Sequence, residues 1–263
     1  MAPLDKGENA RRDVILTLEE MGFEIESSHH ENSPGQHAVD FRQAEGIRVA
    51  DQILTFRATI RTVAERHGMH ATFMPKPRTD LMGSAMSFSI SAVRNGASWN
   101  RQEAESFVAG LMEHMCGIAA FSNPIVNSYK RLKAHFYAPS ELFWSAEDYY
   151  APVRLLKNDK GEIRVEWKLP DGAANPYLTI AMAVASGLDG IRRAAVPAPE
   201  GRKEGALPAT LRESVQAFSE DAFLRNVCGN AYSEMYIQEK MKEWDRYSRE
   251  VTDWELKEYL QRI

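Results

Sequence analysis

The chain has 263 residues, of which 44% are hydrophobic and 26% charged, enough apolar surface for a large core, built as one α/β unit or as two smaller domains. A net charge of -5 argues against a general affinity for nucleic acid. Cys116 and Cys228 match neither a zinc spacing nor a disulfide framework, which points to reduced thiols in helices and to the cytoplasm. The N-terminus lacks the apolar run of a signal peptide, and the longest apolar stretch, Leu178 to Leu188, is too short to cross a bilayer, so no membrane partner is expected.

Taken in chain order, Glu8 to Met21 places Val14, Leu18 and Met21 on one helical face, with Gly22 as its stop. Phe23 to Glu26 alternates as a strand and leads into Ser28 to Phe41, where His29, His30, His37 and Glu31 surround the turn at Pro34 and Gly35. Three imidazoles beside a carboxylate can hold a divalent ion. No spacing here fixes a tetrahedral site, so the residues by themselves favour a solvated loop running into a strand. Glu45 to His67 has a helical stripe of Val49, Ile53, Phe56, Ile60 and Val63, closed by Gly68.

Ala71 to Phe73 is expected to start a strand that Pro75 and Pro77 interrupt. Ser84 to Val93 has a period of two, with Met86, Phe88 and Ile90 on the core face and Ser87, Ser89 and Ser91 opposite, and it ends at a tight turn at Asn95 and Gly96. Asn100 caps a helix predicted over 101–120, on which His114 is read as structural. In the loop 123–132, Lys130 and Arg131 are available to an anion.

Val153 to Leu156 and Ile163 to Lys168 form a predicted hairpin around a turn at 158–161. Arg164, Glu166 and Lys168 share one face of it, as an exposed charged surface or as a binding face. Asn175 and Pro176 open a helix to about Gly190, and Ala194 to Pro208 reads as a linker or surface loop. Leu211 to Ile263 reads as helices broken near Ser219, near Gly229 and over 248–252. Trp244, Tyr247, Trp254 and Tyr259 are expected to pack or to form interfaces.

Four blocks carry a family resemblance: His29-His-Glu-Asn-Ser-Pro-Gly-Gln-His37, Ala71-Thr-Phe-Met-Pro-Lys-Pro77, Asn123-Pro-Ile-Val-Asn-Ser-Tyr-Lys-Arg-Leu132 and Ala174-Asn-Pro-Tyr-Leu178. In this order and at this spacing the chain resembles the later, catalytic part of the glutamine synthetase family. The resemblance implies an α/β (α+β) fold of the glutamine synthetase/guanido kinase-like type, a curved, mainly antiparallel sheet packed by helices. It would span 1–263, with a helical C-terminal portion over about 207–263. It also implies oligomers in rings, each site completed by a small β-grasp domain that precedes this part in the family. The expectation is that this chain lacks that domain and that a separate β-grasp or glutamine synthetase-like chain supplies it, or that the assembly differs.

The resemblance further implies ATP and magnesium or manganese as ligands, the ions held by several glutamates and a histidine. Glu31 and Glu166 match metal ligands, whereas Ala38 stands at a glutamate position and Ser87 at the histidine position. Arg131, Arg154 and Lys168 match substrate contacts, and Ser91 and Arg164 match nucleotide contacts. Tyr137 replaces the glutamate of a mobile flap, and Tyr149 replaces an arginine that steadies the transferring phosphate. A hydroxyl is a poor ligand for a divalent ion compared with imidazole. The expectation is therefore an impaired enzyme that keeps a site for a small amino acid, a nucleotide or a protein partner. The alternatives are a ligase of altered specificity and the catalytic half of a split ligase.

Overall fold

The computed structural model describes residues 7–94, 96–133, 138–158 and 161–263. Tyr137, Asn95 and the middle of the turn at 158–161 lie outside the described residues.

The first layer is small. Helix α1 (Glu8–Glu20) buries Ala10, Val14 and Leu18, and Gly22 turns the chain at φ +84°, a conformation open to glycine because it has no Cβ. Strands β1 (Ile25–His30) and β2 (His37–Phe41) then form an antiparallel hairpin with His30 opposite His37 and His29 opposite Ala38. The histidines therefore sit in strands and only 31–36 forms the loop, because backbone pairing continues through the polar residues up to the Pro-Gly turn. Helix α2 (Gly46–Arg66) closes this layer by packing Val63, Phe56 and Ile60 against Val14, Leu18, Phe23 and Ile25.

The second layer is a sheet of four strands in the order β3 (Phe88–Ile90), β8 (Ile163–Trp167), β7 (Val153–Lys157), β6 (Trp144–Ser145). Pairing is antiparallel except between β6 and β7. The remaining strands, β4 (Val93–Arg94) and β5 (Ala97–Ser98), pair antiparallel in a separate two-stranded sheet.

The strand expected over 84–93 is regular only at Phe88–Ile90. Upstream, the N–H groups of Ser84 and Met86 donate to the carbonyls of Pro75 and Pro170 rather than to a neighbouring strand. The alternation of exposure nevertheless runs from Ala85 to Ile90 as expected. Residues 71–73, expected to start a strand, form none.

Behind the sheet stand α3 (Arg101–Glu113), α4 (Met115–Ser122), α5 (Val126–Arg131) and α6 (Pro176–Arg192). The predicted helix over 101–120 is two helices, divided at His114, whose Nδ1 lies 2.7 Å from Asp221 Oδ2 and whose ring stacks on Phe223 at 4.6 Å. These contacts pack the His114 ring, at the start of α4, against the later helix that carries Phe223. α3 and α6 cross at glycines: a Cβ on Gly110 would strike the Ser186 carbonyl, and one on Gly190 the Ser106 carbonyl.

Helices α7 (Leu211–Glu220), α8 (Ala222–Cys228), α9 (Asn230–Ser248) and α10 (Asp253–Tyr259) follow, with breaks where the sequence placed them. Leu211, Val215, Phe218 and Leu224 join the same core as Trp167 and Val153. The segment read as a linker is stitched to the body, with Trp144 Nε1 donating to the Ala198 carbonyl at 2.8 Å and an antiparallel bridge joining Ala206 to Glu141. Cys116 and Cys228 are free and lie in α4 and α8. Among the described residues no helix is long and apolar enough to cross a membrane.

Candidate active-site cleft

Strand β8 alternates between two environments. Val165 and Trp167 are wholly buried in the core, while Arg164, Glu166 and Lys168 line an open cleft of ≈ 2250 Å³ between the sheet and the β1–β2 hairpin. The hairpin brings Glu31 and Ala38 to the opposite wall, and β3 with its flanks contributes Ser87, Ser89 and Ser91. Tyr149 and Arg131 also line this space. Residues far apart in sequence thus meet in one cleft, and Arg154 joins them through a side-chain contact.

That contact follows from strand register. Ser89, Glu166 and Arg154 stand in one cross-strand row, which puts Arg154 Nη1 3.0 Å from Glu166 Oε2. Both side chains are largely buried, at 17% and 24% exposure, so the pair is screened much less than a surface pair. Lys168, two residues on, donates from Nζ to the Tyr149 carbonyl, and its ammonium lies 3.4 Å from the centre of the Tyr149 ring. Burial pushes the Lys168 ammonium below the ordinary lysine range and Arg154 adds to this, while Glu166 and Asp148 oppose it.

Arg131 is buried, and its guanidinium donates to the carbonyls of Leu169 and Pro170, with Nε left unpaired among the described residues. Desolvation lowers its pKa against the pull of Asp171. Asp171 is itself buried, which pushes its carboxyl up, while Arg131, Ser128, the Ala173 amide and Asn123 draw it down. Arg131 thus braces the turn at 169–171 beneath the cleft. Ser91 Oγ accepts a hydrogen bond from Gln43 at 2.8 Å, which ties the exit of β2 to the sheet wall.

Two elements of the cleft escaped the sequence reading. Arg57 of α2 lines it, donating to the Ala174 carbonyl at 2.9 Å and standing 5.9 Å from the Phe73 ring. Burial lowers its pKa, and neighbouring Arg61 does so further. The available signal was an arginine four residues after Ile53, on the helix's apolar stripe. Gln36 stands in the first of the four resemblance blocks without an expected role, and its side chain donates to the Gly83 carbonyl at 3.0 Å.

The candidate donors for a divalent ion are engaged with one another or with arginines. Glu31 lies 3.3 Å from His29 Nε2, and His37 Nδ1 takes a hydrogen bond from Arg11 at 2.9 Å. Glu166 is engaged by Arg154. Among the described residues no three His, Cys, Asp or Glu side chains converge to hold an ion. The donor set does not fit a cage for several ions, which needs anionic oxygens facing one another across the cleft.

The domain is thus α+β, with a mainly antiparallel sheet, a facing hairpin and an open charged cleft between them. The glutamine synthetase catalytic domain family matches residues 1–259, and the chain belongs to that family. Glutamine synthetase of Thermus thermophilus is 41% identical over 99% of this chain and 64% of its own length. That of Clostridium saccharobutylicum is 40% identical with the same coverage. The chain therefore spans somewhat under two thirds of these relatives.

Among solved structures, GmaS in complex with ADP is similar at a TM-score of 0.87 and 30% identity, over 96% of this chain and 63% of that one. Plasmodium falciparum glutamine synthetase shares the fold at a TM-score of 0.92 and 24% identity, over 98% and 63%.

Proposed function

We propose that this chain is a catalytically impaired glutamine synthetase-like module that still binds a small amino acid or a nucleotide, or serves a protein partner. The reading rests on Ala38 and Ser87, which line the cleft where the family resemblance calls for a glutamate and a histidine. On this reading the cleft walls keep their shape without two of the donors that the resemblance implies. Glu166, the carboxylate left on the sheet wall, faces an arginine instead of a cation site.

The energetic argument is additive in direction. Removing one preorganised electrostatic contact at a developing charge costs about 3 kcal/mol of barrier, and each 1.4 kcal/mol is about tenfold in rate. Tyr149 in place of an arginine removes a fixed positive charge. Tyr137 in place of a flap glutamate offers a phenol of reference pKa about 10, not an anion at neutral pH. On this reading magnesium or manganese with ATP would be held weakly or not at all, and the two free thiols favour a reducing, cytoplasmic compartment. Isothermal titration with ATP, magnesium and glutamate, joined to a coupled phosphate-release assay, tests the reading; steady turnover refutes it.

The second reading is an ATP-dependent carboxylate-amine ligase of altered specificity, or the catalytic half of one completed by a β-grasp chain. The observation in its favour is the Tyr149–Lys168 contact, which reshapes the pocket rather than emptying it. It predicts ATP hydrolysis that depends on one particular acid in a broad acid and amine panel.

A further inference from the structure

The cleft lies between two bodies that have separate cores. Val14, Leu18 and Val63 cluster with Phe56 and Ile60, and among the described residues no side chain of 8–66 joins the larger cluster around Trp167 and Val153. Within 7–263 the chain passes from the first body to the second once, after α2. That crossing, 67–70, is exposed, and Gly68 takes φ +68° with open space where a Cβ would stand, a conformation that favours glycine.

Two kinds of contact join the bodies. Along α2 they are charged or aromatic: Arg57 donates to the Ala174 carbonyl at 2.9 Å, the Tyr177 hydroxyl donates to Asp51, and the guanidinium groups of Arg57 and Arg61 stand 5.9 and 5.4 Å from the centre of the Phe73 ring. From the hairpin and its exit, three neutral bonds reach across. Met82 N–H donates to Ser33 Oγ at 2.9 Å, Gln36 Nε2 to the Gly83 carbonyl at 3.0 Å and Gln43 Nε2 to Ser91 Oγ at 2.8 Å. Residues 82–83 are held on the side of the larger body. Ser84 N–H returns to the Pro75 carbonyl, and the Asn127 amide on α5 clasps both backbone groups of Lys76 at 2.7 and 3.0 Å.

We propose that residues 8–66 form a hinged lid over the cleft. The lid turns as one body about the crossing at 67–70 and the α2 seam, and Ser33, Gln36 and Gln43 latch it closed. Bodies with their own cores, joined by a polar seam and one chain crossing, move relative to each other unless a broad apolar interface holds them. A neutral hydrogen bond that exchanges with water contributes little net stability, so removing one latch changes the open fraction by about two- to tenfold. Such a lid governs entry to the cleft whether or not the chain turns over a substrate, so it goes beyond the impaired-module reading.

The test is a pair of spin-label distances measured by pulsed electron paramagnetic resonance on the full chain carrying Cys116→Ser and Cys228→Ser. Labels on Glu26→Cys and Gln102→Cys span lid and body, and labels on Glu26→Cys and Glu65→Cys lie within the lid; all three positions are exposed. In the unaltered lid the spanning pair shows one main distance. Gln36→Ala combined with Gln43→Ala raises a second component by about fivefold or more, and Ser91→Ala, which removes a latch acceptor from the body side, raises it by about twofold or more. The pair within the lid keeps one distance throughout.

Thermal melts check that each variant is folded, and if the double variant is not, Ser91→Ala carries the test alone. The proposal is overturned if the spanning distance stays in one narrow population, or if a second component is present but does not grow when the latches are removed. It is also overturned if the distance within the lid broadens in step with the spanning one, because the layer then melts rather than turns.

Discussion

The two faces of β8 answer to different constraints. On one, Val165 and Trp167 are fully buried, and Trp167 stacks on Phe88 at 6.2 Å and donates from Nε1 to Met115 Sδ at 3.2 Å. On the other, Arg164, Glu166 and Lys168 look into open space. Packing governs the first face, where a lost methylene leaves a void. Chemistry governs the second, where a side chain can change identity without disturbing a strand. The same division would let a family fold persist with alanine and serine at positions 38 and 87, where the resemblance implies metal ligands.

The comparison is broken most directly from the core side. Trp167→Ala should destabilise the chain by about 3–5 kcal/mol, read as a lowered midpoint in guanidinium with native-like slope. Gly110→Ala should cost about 1–3 kcal/mol, because its Cβ would meet the α6 backbone, which has no flexible end to move aside. A cleft-facing substitution of the same size that cost as much would contradict the distinction.

Asp221→Asn probes the polar part of the core, with an expected loss of about 1–3 kcal/mol at neutral pH. Burial pushes this carboxyl up, but His114 and the amides of Leu224 and Phe223 outweigh it and hold it below the usual aspartate range. Its stabilising share is therefore complete above the unfolded aspartate value and is lost as pH falls through the lower folded one. The variant should be less stable near neutrality and show a flatter acid limb, measured by denaturant titration between about pH 2 and 6.

The smallest effect on stability belongs to the cleft. Ala38→Glu combined with Ser87→His should shift stability by no more than about 0.5 kcal/mol, since both positions line open space. Manganese affinity should nonetheless rise by about tenfold or more, because the substitutions add an anionic oxygen and an imidazole to the cleft. Unchanged manganese binding in a folded double variant would show that more than these two ligands is missing.

Much of the fold was legible because helical periodicity and caps are local. The stripe on α2, the Asn175 cap with Pro176 at the start of α6, and the glycine between α8 and α9 all lie where the residues put them. What was not legible depends on partners distant in sequence. The break at His114 requires Asp221 and Phe223, and the shortening of the strand at 84–93 requires Pro75 and Pro170 to take its amides.

The same holds at the cleft. Arg164, Glu166 and Lys168 were legible as one face from a period of two. The pairing of Glu166 with Arg154 depends on the register of β7 against β8, and the Tyr149–Lys168 contact on where the loop before β7 returns. Arg131 lines the cleft and donates to the carbonyls of Leu169 and Pro170, bonds that no spacing in the sequence reveals.

The central claim is that the walls of the cleft survive without their cation cage. Counting manganese ions bound per chain by electron paramagnetic resonance, in the presence of saturating ATP, tests it most directly. The account predicts no tightly held ion beside Ala38 and Ser87; two ions held tightly together, with an acyl phosphate formed from glutamate, would contradict it.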